Sequence, residues 1–516
     1  MIDATKAVVV VPPIQDFYFT YHRFSSLGAY IVQKIAGSFF KECQMLNFPL
    51  DGSGPETIAL PQEIQYLKKY IIPDETGPLS FFRTYNRYGS SIDICAKKII
   101  DTGASCCLIS VFAYCYANTA LYLIEKIKRL KPELCVIAGG AGVSVAPDLF
   151  LNSTSVDYVV KGEAEVSLPL LLQFIQGKNS INRESIPNIG WRNDNRNVLT
   201  NGMKFTEASE IVSYAVKTFE TQKKLYISTT LSRGCRYKCE FCSNRLTQGN
   251  NFRIVSPDAF KEQLLAILHT EDTTKRININ FEDDNIMHDY GYLITVLQMC
   301  KKVLPDCTFT FENGIDYRLL DTEKCSQLIR LGVCQFNFSL ATANSDIADT
   351  QHRIINVTRL DELYRLLQSA SIPVITYFIC GFSNDTHQTI IDNLKFIHSR
   401  STLAGISMFY AVPGIEGFKY NNPDTGTIAQ YAGSSAFPWN NSLSTATLLT
   451  AFRLSRIVNL IKQPQKSELE LKLLMQVKRE RKLFTIKKNQ EKQNILIEPE
   501  WQDYELVKRF LTVVNE

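Results

Sequence analysis

The sequence predicts an α/β protein made of two parallel-sheet units and a helical C-terminal region. Three observations predict it. Short β-branched runs alternate with helix-length amphipathic stretches through residues 1–180, the pattern of a doubly wound sheet. The alternation resumes across residues 223–420 and gives six strands joined by helices, too few to close an eight-stranded barrel. Over residues 421–516 strands give way to three helix-length segments. Residues 181–222, polar and turn-rich, read as a linker between the two units.

In chain order, residues 7–11 form a continuous apolar run stopped by Pro12 and Pro13, the look of a buried parallel strand. Residues 27–36 read as a helix, 44–48 and 106–111 as strands, 119–130 as an amphipathic helix and 134–138 as a strand. Gly139, Gly140, Ala141 and Gly142 follow. Glycines there let a ligand phosphate approach the backbone, and they equally suit a tight strand-to-helix turn. The linker holds a hairpin-like turn at residues 193–197. Strands of the second unit are expected at 225–230, 277–281, 308–311, 336–340, 374–379 and 406–410, with helices between them. Residues 421–426 break the pattern, and helices are expected at 444–461, 467–488 and 501–513. The middle one carries a basic run, residues 478–482, which reads as a solvated face before it reads as an RNA-binding tail.

A net charge of +4 over 516 residues is too small to argue for a nucleic-acid partner. No apolar run approaches the ~20 residues that span a bilayer. The start lacks the charged region and long apolar core of a signal peptide, so a cytoplasmic location is expected, with the fourteen cysteines as thiols.

Three of those cysteines cluster. Cys235, Cys239 and Cys242 fall at C-x3-C-x2-C within S-R-G-C-R-Y-K-C-E-F-C-S-N, residues 232–244, just after the first strand of the second unit. Thiolates hold iron–sulfur clusters. Three of them on one loop cap three corners of a four-iron cube and leave one iron open to a chelating small molecule. A zinc knuckle requires a fourth ligand, and the next cysteine is Cys300. Others, such as Cys106, Cys107 and Cys325, lie in apolar runs and read as small core residues.

This spacing, with Phe241 between the second and third cysteines, resembles the signature of the radical S-adenosylmethionine (SAM) enzymes. The resemblance implies a partial (β/α)6 barrel and a 4Fe-4S cluster on Cys235, Cys239 and Cys242. It also implies that SAM is chelated at the open iron and cleaved to methionine and a 5′-deoxyadenosyl radical. An anaerobic setting and an electron donor such as flavodoxin or ferredoxin follow. In that family Glu282, Asp283 and Asp284, ending the second strand, would receive the SAM amino group, although a helix N-cap would also account for them. Ser339 and Arg353 would contact the ribose and carboxylate, and Gly381 would admit the adenine. Glu312, Asn313 and Gly314 would face the same mouth, with Tyr377 either there or in the core.

The first unit resembles the Rossmann-like, cobalamin-binding-type domain that precedes one branch of these enzymes. The resemblance rests on Ser110-Val111-Phe112, the I-A-G-G-A-G-V-S run and V-D-Y-V-V-K-G-E-A-E at residues 156–165. It implies that Ser110, Gly139 and Gly140 approach the corrin and its nucleotide tail. The D-x-H-x-x-G motif, which supplies an axial histidine in other cobalamin proteins, is absent, and His22 is the only histidine in this region. Glu163 and Glu165 are expected to shape the domain interface. With cobalamin bound, the implied reaction is methylation of an unactivated carbon or phosphorus in a small-molecule or peptide substrate. Without it, rearrangement, cyclisation or oxidation is implied. An RNA-modifying, methylthiotransferase-like enzyme is a competing reading, opposed by the modest charge and the lack of a further cysteine set. A non-enzymatic cobalamin carrier or sensor is another, and it makes no use of the cysteine loop.

Overall fold

The computed structural model describes residues 2–178, 181–193, 198–415, 427–440 and 442–515. The first sheet has seven strands, in the order Val198–Thr200, Ile189–Arg192, Tyr158–Val160, Cys135–Gly139, Cys106–Ser110, Lys6–Val11, Glu42–Asn47. The last five of these run parallel. Val8 and Val10 pack with the helices Ile92–Asp101 and Ala117–Leu130, while Ala7, Val9 and Val11 face Leu27–Ala36 and Ala164–Ile175. Helices on both faces explain why this strand is apolar at every position.

The expected linker is largely absorbed into the two sheets. Ile189–Arg192 and Val198–Thr200 extend the first sheet antiparallel, and Ala215–Glu220 forms an antiparallel edge of the second. The apolar residues between its polar turns, Ile189 and Trp191, are buried core. Residues 194–197 of the turn, and the pattern break at 421–426, lie outside the described residues. The helix Ile92–Asp101, capped by the Ser91 hydroxyl, was not expected.

Six parallel strands make the second unit: Lys224–Thr229, Arg276–Phe281, Thr308–Thr310, Phe336–Ala341, Val374–Cys380 and Leu403–Met408. They pair in chain order within each half. Parallel bridges from Phe309 to Val333 and from Ile315 to Phe338 carry the curve across the middle. The result is a partial barrel.

The C-terminal region is not wholly helical. Thr445–Lys462, Glu468–Glu480 and Tyr504–Asn515 are helices, but Thr485–Lys488 and Asn494–Ile497 form a hairpin. The helix expected over 467–488 ends at Glu480, where Arg481 takes φ +54°. Residues 483–486 are all buried, which a one-faced surface helix cannot achieve. The hairpin pairs with Glu75–Thr76, part of an insertion in the first unit. Beneath that pairing Arg453 meets Glu75 at 2.6 Å, both fully buried, and the Thr485 hydroxyl donates to the same carboxylate. Among the described residues no helix is long and apolar enough to cross a membrane.

Candidate active site

From the first barrel strand the chain passes through the two-residue strand Ser232–Arg233 into the cysteine loop. Cys235, Cys239 and Cys242 line one cavity of about 120 Å³. Its other wall comes from strand ends: Asp284 and Asn285 after the second strand, Asp316 after the third, Ser339 in the fourth and Arg353 beyond it. Among the described residues no three His, Cys, Asp or Glu side chains converge on a single metal position. Thiolates that each take a different iron of a cube stand apart, whereas zinc gathers four donors around one point. Three thiols lining one cavity offer a ligand for each of three corners of a cube.

The opposing wall fits an amino acid. Arg353 Nη1 stands 3.7 Å from Cys239 Sγ, and Nη2 donates to the Ser339 carbonyl. Arg353 Nε and Asn285 Oδ1 are buried without hydrogen-bond partners. A buried orphan donor and a buried orphan acceptor on one cavity wall match a carboxylate and an ammonium. Asn285 Nδ2 donates to Asp316 at 3.2 Å, and Arg318 grips Asp316 with two bonds of 2.7 Å. Burial works against the Asp316 charge, yet these bonds hold its carboxyl below the ordinary range. Asn285 and Asp316 line this cavity and were not singled out from the sequence as site residues. The one available signal for Asn285 was that it extends the acidic run at the strand end.

Burial raises the Cys235 thiol, and raises that of Cys242 to about 11. Binding of a metal at Cys235 and Cys242 must therefore displace a proton from each.

The acidic run divides among three surroundings. Asp284 faces the cavity, where burial pushes it up to about 6 against the pull of Arg233. Glu282 turns to the first unit and accepts the Ser25 hydroxyl at 2.7 Å. Asp283 is buried beneath the loop, accepting the Leu231 N–H at 3.1 Å and the Ser232 hydroxyl. Successive side chains of an extended segment point to opposite sides, so one run cannot aim all three at one ligand. Burial pushes Asp283 up to about 7 despite those bonds. An acid whose pKa is higher in the fold than in the unfolded chain keeps its proton longer when folded. Its stabilising contribution is complete below about pH 4 and is lost as pH rises through about 7. Asp283→Asn is expected to flatten this fall, read as the change in unfolding midpoint between pH 5 and pH 8, and an unchanged slope would refute it.

Ser339 and Arg353 thus come to the cysteine cavity and Gly381 does not. Gly381 has φ +109°, its N–H donates to Asp385 at 2.7 Å, and a Cβ there would press on Leu448 at 3.3 Å. These contacts belong to a turn packed on the C-terminal helix. Tyr377 sits at the barrel mouth, its hydroxyl donating to the Glu312 carbonyl at 2.9 Å.

Ser110, Gly139 and Gly140 line a second cavity, a slot of about 210 Å³ at the carboxyl ends of the first sheet's strands. Open sheets bind ligands at that end. Gly140 has φ +100°, and a Cβ would lie 2.6 Å from the Val111 carbonyl oxygen, so only glycine fits. Glu163 and Glu165 close the slot against the barrel, pairing with Arg253 at 2.7 Å and Arg233 at 3.5 Å. A third cavity, about 600 Å³, lies between the two units, large enough for an organic cofactor or substrate. Phe112 and Ala141 come to its wall from the first sheet, Ser243 from the cysteine loop and Tyr410 from the last barrel strand's end.

Residues 229–397 match the Radical SAM superfamily model. An uncharacterized methyltransferase of Pyrococcus horikoshii is 23% identical over 299 residues, covering 56% of this chain and 63% of that protein. Cytidylyl-2-hydroxyethylphosphonate methyltransferase of Streptomyces wedmorensis is 22% identical over 333 residues, covering 57% and 61%. The alignment therefore spans less than two thirds of either relative. Among solved structures, the radical SAM methyltransferase TsrM from Kitasatospora setae, with cobalamin and a 4Fe-4S cluster bound, superposes with a TM-score of 0.58 at 12% identity, covering 80% of this chain and 73% of that one. The cobalamin-dependent radical enzyme OxsB gives 0.56 at 13% identity, covering 83% and 55%. Residues 229–397 are thus a radical SAM domain, which implies a 4Fe-4S cluster and SAM, and with its Rossmann-like partner it has the fold of the cobalamin-dependent radical SAM enzymes.

Proposed function

We propose that the chain is a cobalamin-dependent radical SAM methyltransferase acting on a small molecule. One observation carries this reading. Ser243, next to Cys242, and Ala141, next to Gly140, are walls of the same interdomain cavity, so ligands at the cysteine loop and at the glycine turn would meet there. When bound, the cluster supplies the electron that cleaves SAM to a 5′-deoxyadenosyl radical, and cobalamin carries the methyl group.

The chain's own residues hold and orient these groups. Cys235, Cys239 and Cys242 would anchor three irons. Arg353 would grip the SAM carboxylate, while Asn285 and Asp284 would take its ammonium, fixing the sulfonium beside the open corner. The slot at Ser110, Gly139 and Gly140 would take the nucleotide tail of cobalamin. Phe112 and Tyr410, both exposed and both lining the cavity, would cover the corrin and keep water from the radical. The electron would come from a flavodoxin- or ferredoxin-type donor.

The test is anaerobic reconstitution with and without cobalamin, reduction, and analysis of the SAM products. 5′-Deoxyadenosine together with S-adenosylhomocysteine, the latter only when cobalamin is retained, is the expected result. 5′-Deoxyadenosine alone, with cobalamin washing off, would leave a radical enzyme that does not methylate.

A further inference from the structure

The interdomain cavity is walled by ten aromatic side chains, Phe112, Tyr116 and Tyr431 among them, and by two charged ones, Arg23 and Asp16. The two charges are not matched alike. Arg23 is held by the Glu312 carboxylate at 2.9 Å and also donates to the Glu312 carbonyl at 3.1 Å. Asp16 has no such partner: among the described residues no lysine, arginine or histidine forms an ion pair with it.

Asp16 ends the short strand Ile14–Asp16, which follows Pro12 and Pro13 at the carboxyl end of Lys6–Val11. It lines the cavity although it is only 6% exposed. One carboxylate oxygen accepts the Phe17 N–H at 2.6 Å, and the other accepts the Tyr116 hydroxyl at 2.9 Å. The buried Ser434 hydroxyl lies within hydrogen-bonding reach, so the side chain stands where the first sheet meets the C-terminal region. A carboxylate has about four acceptor sites, and these three donors leave one open. All three are neutral. Burial accordingly lifts the carboxyl above its ordinary range, and no cation draws it back.

Burying a carboxylate without a cation is costly, and the faces of aromatic rings attract cations too. Both features meet in this one cavity of about 600 Å³. A neutral donor would fill the open acceptor site but leave the charge unmatched. We propose that Asp16 receives a positively charged nitrogen of the methyl acceptor, an ammonium or a protonated ring nitrogen, while the aromatic walls hold the rest of the molecule. That this ligand is the methyl acceptor rests on the methyltransferase reading; the cation site itself does not. The amide side chains of cobalamin are the rival occupant, because they would offer Asp16 neutral N–H donors in the same cavity.

The test is calorimetric titration of the full chain, reconstituted with its cluster and loaded with cobalamin, using phenethylamine, 2-phenylethanol and phenylacetate. These probes share a phenyl body and differ in the charge of the head. The ammonium is expected to bind about tenfold or more tighter than the alcohol, the scale of a charge-assisted hydrogen bond, and the carboxylate not to bind. Asp16→Asn keeps the shape of the side chain and should abolish that preference while leaving the alcohol unchanged. Glu468→Gln, on an exposed helix end, removes the same charge and should change nothing. If Asp16→Asn does not fold, the ranking of the three probes on wild type decides alone. Absence of amine binding, equal binding of amine and alcohol, tighter binding of phenylacetate, or a preference that survives Asp16→Asn would each overturn the proposal. So would amine binding seen only without cobalamin, or weaker cobalamin binding in Asp16→Asn, since either gives the carboxylate to the corrin. A protein that keeps the amine preference yet forms no S-adenosylhomocysteine would instead remove the methyltransferase reading and leave the cation site standing.

Discussion

Anaerobically reconstituted protein in which Cys235, Cys239 or Cys242 is replaced by alanine is expected to hold no four-iron cluster and to form no 5′-deoxyadenosine. Each thiolate would bind its own iron, so no neighbour can substitute. The nearest competing donor by contact, His288, stands 3.5 Å from Cys235 Sγ but is already accepting the Arg236 N–H at 3.2 Å. Cys300→Ala is the control, because Cys300 is fully buried in the helix Tyr290–Val303; it should lower stability and keep the cluster. Iron and sulfide content, visible absorption and electron paramagnetic resonance of the reduced protein read the result. Tetrahedral zinc at wild-type stoichiometry, or a cluster that survives any one of the three replacements, would sink the assignment.

The second large effect is on stability. Glu75→Ala is expected to cost about 3–5 kcal/mol, because it strands Arg453 as an unpaired charge in a dry interior. Arg453 keeps one other contact of consequence there, lying 5.2 Å over the Trp501 ring, and its Nη2 is already without a partner. The double replacement Glu75→Leu with Arg453→Met should recover most of the loss, since apolar pairs of similar volume commonly replace buried ion pairs without penalty. Unfolding midpoints in urea check both. A single replacement as mild as a surface mutation, within about 0.5 kcal/mol, would show the pair to be solvated.

What was legible in the chain follows from periodicity and spacing. Strands buried on both faces, such as Lys6–Val11, announce themselves as apolar runs, and all six barrel strands fall within a few residues of their expected places. The cysteine loop was legible because cluster ligation needs local spacing. The linker was misread because polar turns inside a hairpin look like a tether when the partner strand, Tyr158–Val160, is distant in sequence. The hairpin after Glu480 was hidden for the same reason: its partner, Glu75–Thr76, is only two residues long. The acidic run gave its position at the strand end but not its division, which depends on where Ser25 and Leu231 arrive in space.

The bond between Glu75 and Arg453 joins positions 378 residues apart, and that between Glu75 and Thr485 joins positions 410 apart. During synthesis the carboxylate emerges long before either partner exists. The insertion around it can settle only when the last hairpin leaves the ribosome, since contacts this distant form late. The wall that Phe81 gives the interdomain cavity is therefore among the last parts to close. A nascent chain would stay open to large cofactors until that hairpin has emerged, and a protein truncated after the barrel would lack the partner that holds this wall in place.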